Sequence, residues 1–255
     1  MPVRDIAVPV RDLAVVVPAY NEAERIGPSL EKILAFLPTQ FASSEVLLVD
    51  DGSTDGTADL VEKRFGGQVK VVRRPRRSGK GSAVRTGVLA AAKDWILFVD
   101  ADLSIPIEET LVLCREADRA PVVIGSKRAP GSETEYPPLR RFLGGIGNLV
   151  ISLFVVSGFR DTQCGIKLFR GDVGKELFGL SRIDGFGFDF EVLFLARRLG
   201  WNVLEVPIHC QHKIGGTVRL RTYLRVLSEV ARVTSYRLRG LYPRRRAAER
   251  SSRTT

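Results

Sequence analysis

The first half of the chain alternates short apolar runs with segments of helical periodicity, and this alternation constrains the fold more than any other feature. Leu13–Val17 and Trp95–Val99 are continuous apolar runs of strand length. Between them, apolar residues recur at helical spacing, as they do from Ile26 to Leu37. Strands that are apolar on both faces and alternate with helices are typical of a mostly parallel sheet covered on both sides. The sequence therefore predicts an α/β fold.

The predicted elements follow a regular order as far as about residue 130. Strands are predicted at Leu13–Val17, Glu45–Val49, Val69–Val72, Trp95–Val99 and Pro121–Ile124. Helices are predicted from Asn21, where Glu24 completes a capping box, around Ala58, Val61 and Phe65, and over Ser82–Lys93. A strand near Val203–Ile208 and a basic amphipathic helix follow, and the apolar face of that helix would comprise Leu220, Tyr223, Leu224, Leu227, Val230 and Ala231.

Polar motifs follow the predicted strands at their carboxyl ends. They are Pro18–Glu22, Asp50–Asp55, Asp100–Ser104 and Gly125–Arg128. Ligands of open α/β sheets bind beyond the carboxyl ends of the strands. We therefore expect these motifs to form one ligand site at one edge of the sheet.

Asp100 and Asp102 directly follow the apolar strand Trp95–Val99. Two carboxylates at this spacing can converge on one hard divalent cation, Mg²⁺ or Mn²⁺, when the turn reorients them. Such a cation would bridge a diphosphate and stabilise it as a leaving group. Asp-x-Asp alone also arises by chance, but its position after a buried strand favours a metal site.

Three acids, Asp50, Asp51 and Asp55, lie close together after the second predicted strand. One of them is expected to serve the turn or to cap the next helix. Three acids exceed what a cap requires, so a carboxylate is also available for ribose hydroxyls or base N–H groups. The sequence is consistent with both interpretations.

Two further motifs carry less information. Lys80 is flanked by glycines but lacks the preceding Gly and the following Ser/Thr of a Walker loop, so it is either an anion contact at a helix N-terminus or part of a flexible basic loop. His209, Cys210 and His212 lie along one predicted strand. Neighbouring strand residues point to opposite faces, so we expect a structural role for these three rather than metal ligation.

The formal net charge of +10 belongs to the C-terminal segment. From Lys213 onward there are 12 Lys and Arg residues against Glu229 and Glu249, whereas residues 1–212 are neutral overall. Such a segment attracts nucleic acid or anionic lipid. Its predicted amphipathic helix suits a lipid surface, and an ordinary surface helix packed on the domain explains the pattern equally well.

The three cysteines, Cys114, Cys164 and Cys210, are scattered and odd in number, which favours a reducing compartment. Charges and prolines within Met1–Asp12 argue against a signal peptide. Phe142–Phe159 is strongly apolar, but its continuous apolar part is far shorter than the roughly 20 residues of a spanning helix. We expect that segment to lie in a membrane interface rather than to cross the bilayer.

Taken together, these motifs resemble the family-2 inverting glycosyltransferases. In the first half, the matching elements are Val16–Glu22, Val49–Asp55, Gly79–Gly81 and Asp100–Leu103. In the second half, Gly125–Arg128, Asp161–Phe169, Gly187–Val192 and Glu205–Pro207 resemble polyprenyl-phosphate sugar synthases. The dolichyl-phosphate β-glucosyltransferase branch is nearer than the mannose branch, and the resemblance covers about residues 13 to 235.

The resemblance implies a GT-A fold in residues 1–212 and a basic closing loop with a membrane-facing helix in 213–243. Residues 244–255 lack apolar periodicity and are predicted to be disordered. The resemblance also implies a set of donor-binding residues comprising Pro18, Tyr20, Glu22, Asp51, Lys80, Lys213 and Arg219. Asp100 and Asp102 would hold the metal and the diphosphate, and Arg128 would hold a phosphate. Mannose-type synthases often have Gln where this chain has Ser104, so a third metal ligand is not implied.

The implied reaction transfers a hexose, most simply glucose from UDP-glucose, to a polyprenyl phosphate on the cytoplasmic face of a membrane. A phosphate acceptor is already anionic, so the catalytic set (Asp100, Asp102, Arg128 and Asp189) has little need of a general base. Asp161, Asp189 and Glu191 would then bind sugar hydroxyls or hold basic side chains. GDP-mannose as donor and a glycan or small-molecule hydroxyl as acceptor are the alternatives, and a non-catalytic nucleic-acid-binding protein is the alternative of another class.

Overall fold

A mostly parallel sheet forms the centre of the computed structural model, which describes residues 9–134, 138–210 and 220–243. The strands are β1 (Asp12–Ala19), β2 (Ser43–Asp50), β3 (Val69–Arg73), β4 (Trp95–Val99), β5 (Val122–Ser126), β6 (Glu133–Thr134), β7 (Ile166–Arg170), β8 (Val203–Pro207) and β9 (His209–Cys210). Seven of the described strands form the sheet in the order β3-β2-β1-β4-β7-β5-β8, while β6 pairs with β9. Strand β7 is antiparallel to both its neighbours, and the other pairs of the sheet are parallel. The predicted sheet is confirmed.

Helices cover both faces of the sheet. They are α1 (Ile26–Gln40), α2 (Thr57–Phe65), α3 (Lys80–Ala90), α4 (Thr110–Cys114), α5 (Pro138–Phe154), α6 (Gly171–Leu180), α7 (Phe188–Arg198) and α8 (Leu220–Leu238), and a 3-10 turn at Ile107–Glu109 precedes α4. Strand β1 shows why two layers form. Val15 and Val17 pack in one core cluster with α1, whereas Ala14 and Val16 pack in the other with α3. Successive strand side chains point to opposite faces, so a continuous apolar run needs a cover on each side.

The first helix begins later than the capping-box pattern predicts. The structure starts α1 at Ile26, and Asn21 has a left-handed φ of 54° instead of capping a helix. Its backbone N–H donates to Ser53 Oγ at 2.9 Å, and its Oδ1 accepts from the Thr54 N–H at 2.9 Å. Asn21 therefore joins the loops after β1 and β2, a tertiary role that local sequence does not reveal.

Helix α3 is displaced toward its N-terminus relative to the predicted Ser82–Lys93. It begins at Lys80, directly after Gly79, whose φ of 121° favours glycine. It ends at Ala90 because the following residues make other contacts: the Ala92 N–H donates to Glu45 Oε1 at 2.6 Å, and Lys93 Nζ lies 3.1 Å from Asp12 Oδ1. The shift places Lys80 in the first turn of the helix.

The C-terminal helix is present, and the residues of its predicted apolar face differ in exposure. Val230 and its neighbour Val233 are buried in the core, whereas Leu224 is 60% exposed and Leu227 is 47% exposed. The side chains of Leu220 and Tyr223 lie outside the described part of the chain, as does the tail 244–255. Helix α8 is thus apolar on two sides, one packed on the domain and one exposed. None of the helices in the described ranges has the length and apolarity required to cross a membrane.

Candidate active site

A cavity of about 330 Å³ opens at the carboxyl ends of β1, β2 and β4. Seven residues singled out from the sequence line it, namely Pro18, Tyr20, Glu22, Asp51, Lys80, Asp100 and Asp102. The motifs that follow three separate strands therefore meet in one place, as a mostly parallel sheet requires.

Asp51 shapes one wall of the cavity by holding the loop before α3. Its carboxylate is 3% exposed and accepts hydrogen bonds from Arg74 Nη1 at 2.9 Å and from the Gly79 N–H at 2.7 Å. The Ser78 N–H donates to the same group at 3.0 Å. A carboxylate has about four lone-pair positions, so these donors use most of its capacity. Asp51 therefore orders the loop before α3, and its carboxylate has little remaining capacity to accept hydrogen bonds from a ligand.

Tyr20 contributes a flat aromatic surface on the same side of the cavity. The Arg77 guanidinium lies 4.0 Å from the centre of the Tyr20 ring, a cation–π distance. Arg77 reaches this position because its loop passes over Gly52, which has a φ of 74° and leaves no space for a Cβ beside the Arg76 backbone. Tyr20 and Arg77 together are suited to contact a planar base or an anionic group.

Asp100 and Asp102 form the acidic floor of the cavity at the end of β4. The Asp100 N–H donates to the Gly165 carbonyl at 3.2 Å, which holds the turn against the segment that precedes β7. Asp102 Oδ1 accepts from the Ser104 N–H at 2.9 Å. Leu103, which lies between Asp102 and Ser104, has a left-handed φ of 43°. This turn reorients the two acids so that both line the cavity.

Lys80 pairs directly with this acidic floor. Its Nζ lies 2.6 Å from Asp100 Oδ1. Burial alone would lower the pKa of the Lys80 ammonium, but the carboxylates of Asp100, Asp189 and Asp102 outweigh burial and raise that pKa above its ordinary value. Lys80 is therefore a permanent cation at the cavity, and of the two interpretations of the Gly79–Ser82 motif the geometry favours the anion contact.

Glu22 extends the acidic region toward the rim of the cavity. Burial raises the pKa of its carboxyl, Arg25 at 2.8 Å opposes that shift, and the charges of Asp102 and Asp55 add to it. Asp55 itself accepts hydrogen bonds from the Ala23 N–H and the Thr57 N–H, both at 3.0 Å. Asp55 thus supports the start of α2, the structural role expected for one of the three acids.

Two carboxylates at the cavity, those of Asp100 and Asp102, suit a magnesium or manganese ion that is also coordinated by other oxygen ligands. None of the described residues form a group of three His, Cys, Asp or Glu side chains able to hold a metal unaided. Mg²⁺ is commonly held by one or two carboxylates together with waters and substrate phosphates. Asp100 and Asp102 fit that arrangement. The ion pair between Lys80 and Asp100 Oδ1 shows that this carboxylate stabilises a positive charge.

Gly165 keeps the Asp100 carboxylate in place by leaving room for it. A Cβ at this position would lie 2.3 Å from Asp100 Oδ2. We expect Gly165→Ala to displace that carboxylate and to lower kcat/KM about 10- to 100-fold, the usual effect of a misplacement near 1 Å. Thermal unfolding should change little, since a side-chain carboxylate can rotate away.

Gly179→Ala, in α6, is the matched control because nothing lies within 4 Å of its added Cβ. Steady-state kinetics and a thermal melt of both variants check the prediction. Equal activity of the two would contradict a positional role for Asp100.

Asp189 lies behind the cavity rather than on its wall. It is 4% exposed, and Lys167 Nζ lies 2.5 Å from its Oδ1. Lys167 is fully buried and also donates to the Cys164 carbonyl at 2.7 Å. Burial raises the pKa of Asp189, while Lys167 and Lys80 oppose the shift. Of the two roles considered for Asp189, these contacts match holding a basic side chain.

Asp161 and Glu191 are likewise engaged with their neighbours. Asp161 Oδ2 accepts from the Lys127 N–H at 3.0 Å. Glu191 accepts from the Ile183 N–H at 2.9 Å and from the Tyr242 hydroxyl at 2.5 Å. These three buried acids, Asp189 included, are therefore each engaged by donors within the domain.

Arg128 is a predicted site residue that does not line the cavity. It is exposed, and its guanidinium lies beside Gly144 and Gly145 within α5. Lys213 and Arg219 lie outside the described residues.

The histidine and cysteine positions have structural partners. His209 Nδ1 lies 2.9 Å from Glu109 Oε1, and Cys210 Sγ donates to the Ser104 carbonyl at 3.4 Å. His212 is outside the described residues. Cys114 and Cys164 are buried thiols, and burial raises the pKa of each to about 12. Thiols with such pKa values stay protonated near neutrality, so neither serves as a nucleophile.

Two arginines, a glycine and a phenylalanine that line the cavity were not predicted as site residues, namely Arg77, Arg225, Gly185 and Phe186. Arg77 belongs to the basic loop that was open to interpretation as a flexible segment. Phe186 is 37% exposed, and an aromatic residue between two glycines signals a loop surface. Arg225 reaches the cavity from α8, and no local pattern indicates that contact.

Comparison with known proteins gives information on the family of the chain. Residues 14–177 match the model of Glycosyl transferase family 2. A dolichyl-phosphate beta-glucosyltransferase of Trichomonas vaginalis is 31% identical over 242 residues, which are 89% of this chain and 72% of the relative. The corresponding protein of Saccharomyces cerevisiae is 32% identical over 230 residues, which are 80% of this chain and 68% of the relative.

Two solved structures share the fold. Glucosyl-3-phosphoglycerate synthase from Mycobacterium tuberculosis, in complex with Mn²⁺, UDP-glucose and phosphoglyceric acid, has a TM-score of 0.64 and 19% identity over 88% of this chain and 80% of its own. A mannosyltransferase from Pyrobaculum calidifontis, in complex with GDP-Man and Mn²⁺, has a TM-score of 0.60 and 22% identity over 92% of this chain and 67% of its own. At these identities the likeness concerns the fold alone.

Proposed function

The chain belongs to glycosyltransferase family 2, and from this membership we propose that it transfers glucose from a nucleotide-sugar donor to a polyprenyl phosphate with inversion. The family model matches most of the chain, and the predicted GT-A architecture is confirmed by the seven-stranded sheet and its structural neighbours. The observation that carries the proposal is the cavity in which Lys80, Asp100 and Asp102 meet beside Tyr20 at the ends of three strands.

UDP-glucose is the donor that we propose, and a structural neighbour was solved with it. The relatives that resemble this chain over most of its length are named as dolichyl-phosphate glucosyltransferases. GDP-mannose stays the alternative donor, because a structural neighbour was solved with it. In either case Tyr20 and Arg77 would contact the nucleoside, and the acids at the end of β4 would lie beneath the diphosphate.

The residues at the cavity would contribute to the reaction mainly by neutralising the negative charge of the diphosphate. Asp100 and Asp102 would hold Mg²⁺ or Mn²⁺, and a bound metal neutralises the diphosphate leaving group. Lys80, which pairs with Asp100, would add a fixed positive charge beside the diphosphate. An oxygen of the acceptor phosphate would form the new bond to the anomeric carbon as the bond from that carbon to the diphosphate breaks. Attack from the opposite side gives inversion.

The buried acids favour a phosphate acceptor over a hydroxyl acceptor. A sugar hydroxyl needs a general base, whereas a phosphate is already anionic near neutral pH. Asp161, Asp189 and Glu191 are each occupied by backbone amides or basic side chains of the domain. A glycan or small alcohol as acceptor would require one of them to leave those contacts.

A panel of donors tests the proposal. Purified protein, Mn²⁺ and a short polyprenyl phosphate in vesicles would be incubated with each nucleotide sugar, and nucleoside diphosphate release would be measured. Release from UDP-glucose that requires the lipid supports the proposal, and release from GDP-mannose alone changes the sugar. Release that is independent of lipid but requires a glycan or a small alcohol would show that the acceptor is a hydroxyl and not a lipid phosphate. No release, with salt-sensitive binding of DNA or RNA, would favour the non-catalytic alternative.

We propose that the exposed face of α5 and α8 contacts the cytoplasmic surface of a membrane. Leu149, Leu153 and Phe154 of α5 are 58%, 70% and 56% exposed. Leu224 and Leu238 on α8 are also exposed. Among the side chains that the structure describes, the exposed arginines of α8 and of the residues after it are Arg225, Arg232, Arg237 and Arg239. Apolar side chains bordered by arginine suit an anionic lipid interface.

The double variant Leu153→Ser, Leu238→Ser is expected to weaken binding to anionic vesicles about tenfold or more, because two leucine side chains would no longer enter the bilayer. Sedimentation with phosphatidylserine vesicles measures the effect. Leu89→Ser is the control, since Leu89 is 46% exposed on α3, away from this face. Equal loss in the control and the double variant would argue against the proposed surface.

A further inference from the structure

Helix α8 contacts the wall of the cavity through a buried acid. We call residues 184–187 the wall loop, because Gly185 and Phe186 line the cavity. Glu229 of α8 is 2% exposed, and its Oε2 accepts a hydrogen bond from the Gly187 N–H at 2.6 Å. A Cβ at Gly185 would overlap the Glu229 carboxylate, and a Cβ at Gly187 would lie 2.9 Å from Glu229 Cβ. Glycine at both positions lets α8 approach the loop this closely.

The opposite side of the wall loop contacts the helix that carries Lys80. The Gly185 carbonyl accepts from the Gly81 N–H at 3.2 Å, and the Asp184 carbonyl accepts from the Ser82 N–H at 3.1 Å. These donors are the residues directly after Lys80, whose Nζ pairs with Asp100. The wall loop therefore lies between α8 and the first turn of α3, in contact with both.

Burying the charged Glu229 carboxylate costs desolvation free energy, which an apolar residue at this position would not incur. Burial raises the pKa of its carboxyl, and the Gly187 N–H, Arg225 and Arg232 oppose that shift. An apolar side chain would pack between α8 and the loop without desolvating a charge. A carboxylate there provides an acceptor for a backbone amide that would otherwise be buried without a partner.

We propose that Glu229 is a positioning residue of the donor site, which holds the wall loop so that the loop supports Lys80 and closes the cavity around the nucleotide. The inference rests on the proposed function and adds a residue to it. Glu229 does not line the cavity itself, so its effect on nucleotide binding would pass through Gly185, Phe186 and the start of α3.

Glu229→Ala removes the acceptor, and the loop then loses its contact with α8. We expect the Kd for UDP in the presence of Mn²⁺, and the KM for UDP-glucose, to rise about tenfold, with kcat changed less than about threefold. Glu229→Gln keeps an oxygen that accepts from the Gly187 N–H, so both constants should stay within about threefold of the unmodified protein. Ser228→Ala is the control on the exposed side of the same turn, with no change expected.

Calorimetric titration with UDP and Mn²⁺, together with steady-state kinetics on the full chain, provides the measurement. A folded Glu229→Ala protein that binds UDP as tightly as the unmodified protein would overturn the inference. If that variant does not fold, Gly185→Ala tests the same contact from the loop side, and unchanged UDP affinity there would overturn it equally. Failure of the unmodified protein to bind UDP at all would instead refute the proposed donor, and the inference with it.

Discussion

Asp102→Asn is expected to lower kcat/KM roughly 10³-fold, which corresponds to about 4 kcal/mol of transition-state stabilisation. The substitution removes one of two carboxylates that would hold the metal, but it keeps an oxygen that accepts from the Ser104 N–H. The turn after β4 should therefore keep its shape, and the thermal midpoint should stay close to that of the unmodified protein. Steady-state kinetics across a Mn²⁺ titration would show a loss of metal dependence together with the loss of rate.

Asp118→Asn is the matched control for this variant. Asp118 is an exposed acid remote from the cavity, so the same change of charge there should leave the kinetics unaltered. If Asp102→Asn kept more than a tenth of the activity, with an unchanged response to Mn²⁺, the acidic floor would not be a metal site.

Lys167→Met is expected to lower the free energy of unfolding by about 3–5 kcal/mol, because it leaves Asp189 buried without its partner. Lys167 is fully buried and Asp189 is 4% exposed, so water cannot replace the lost contact. Chemical denaturation at pH 7 measures the change. The double variant Lys167→Met, Asp189→Leu should recover much of the loss, since an apolar pair of similar volume removes the unpaired charge.

The loss in Lys167→Met should depend on pH in a defined direction. Burial already raises the pKa of Asp189, and Lys167 opposes that shift, so removing Lys167 raises the folded-state pKa further. A group whose folded-state pKa is raised disfavours folding once pH exceeds its ordinary value, here 3.8. The variant should therefore be closest to the unmodified protein at low pH and should lose stability as pH rises. A destabilisation that is independent of pH would show that lost packing, and not the unpaired charge, is the cause.

Strands were predictable because their signal is local. The run Trp95–Val99 gives β4 with the same bounds, since continuous apolar residues of strand length suit a sheet buried on both faces. The first helix start was not predictable, because Asn21 uses its side chain on Thr54, a residue more than thirty positions away in the sequence. Capping patterns are local, and a tertiary contact overrides them.

The acidic part of the site was predictable for a related reason. Asp51, Asp100 and Asp102 directly follow strands, and parallel strands bring their carboxyl ends to one edge of the sheet. Phe186 and Arg225 come from a loop and a helix that pack over that edge from the second half of the chain. Their positions depend on how the wall loop and α8 dock, which periodicity does not encode.

The contacts of helix α8 could not be predicted from its sequence. Its sequence predicts one apolar face, yet the structure buries Val230 and Val233 and exposes Leu224 and Leu227. Glu229, which looks like an ordinary solvated acid in the sequence, is instead buried against the wall loop. Only the glycines at 185 and 187 make that contact possible, and a helical pattern gives no information about its partner.

The identity of the product distinguishes glucosyl transfer to a lipid phosphate from every other reaction considered. Purified protein would be incubated with Mn²⁺, UDP-glucose and polyprenyl phosphate in anionic vesicles, and the lipid fraction would be analysed by mass spectrometry and NMR. We expect a glucosyl phosphate lipid of β configuration, formed in equal amount to the released UDP and absent with Asp102→Asn. Release of UDP with free glucose and no glucosylated lipid, or a product of α configuration, would contradict the account.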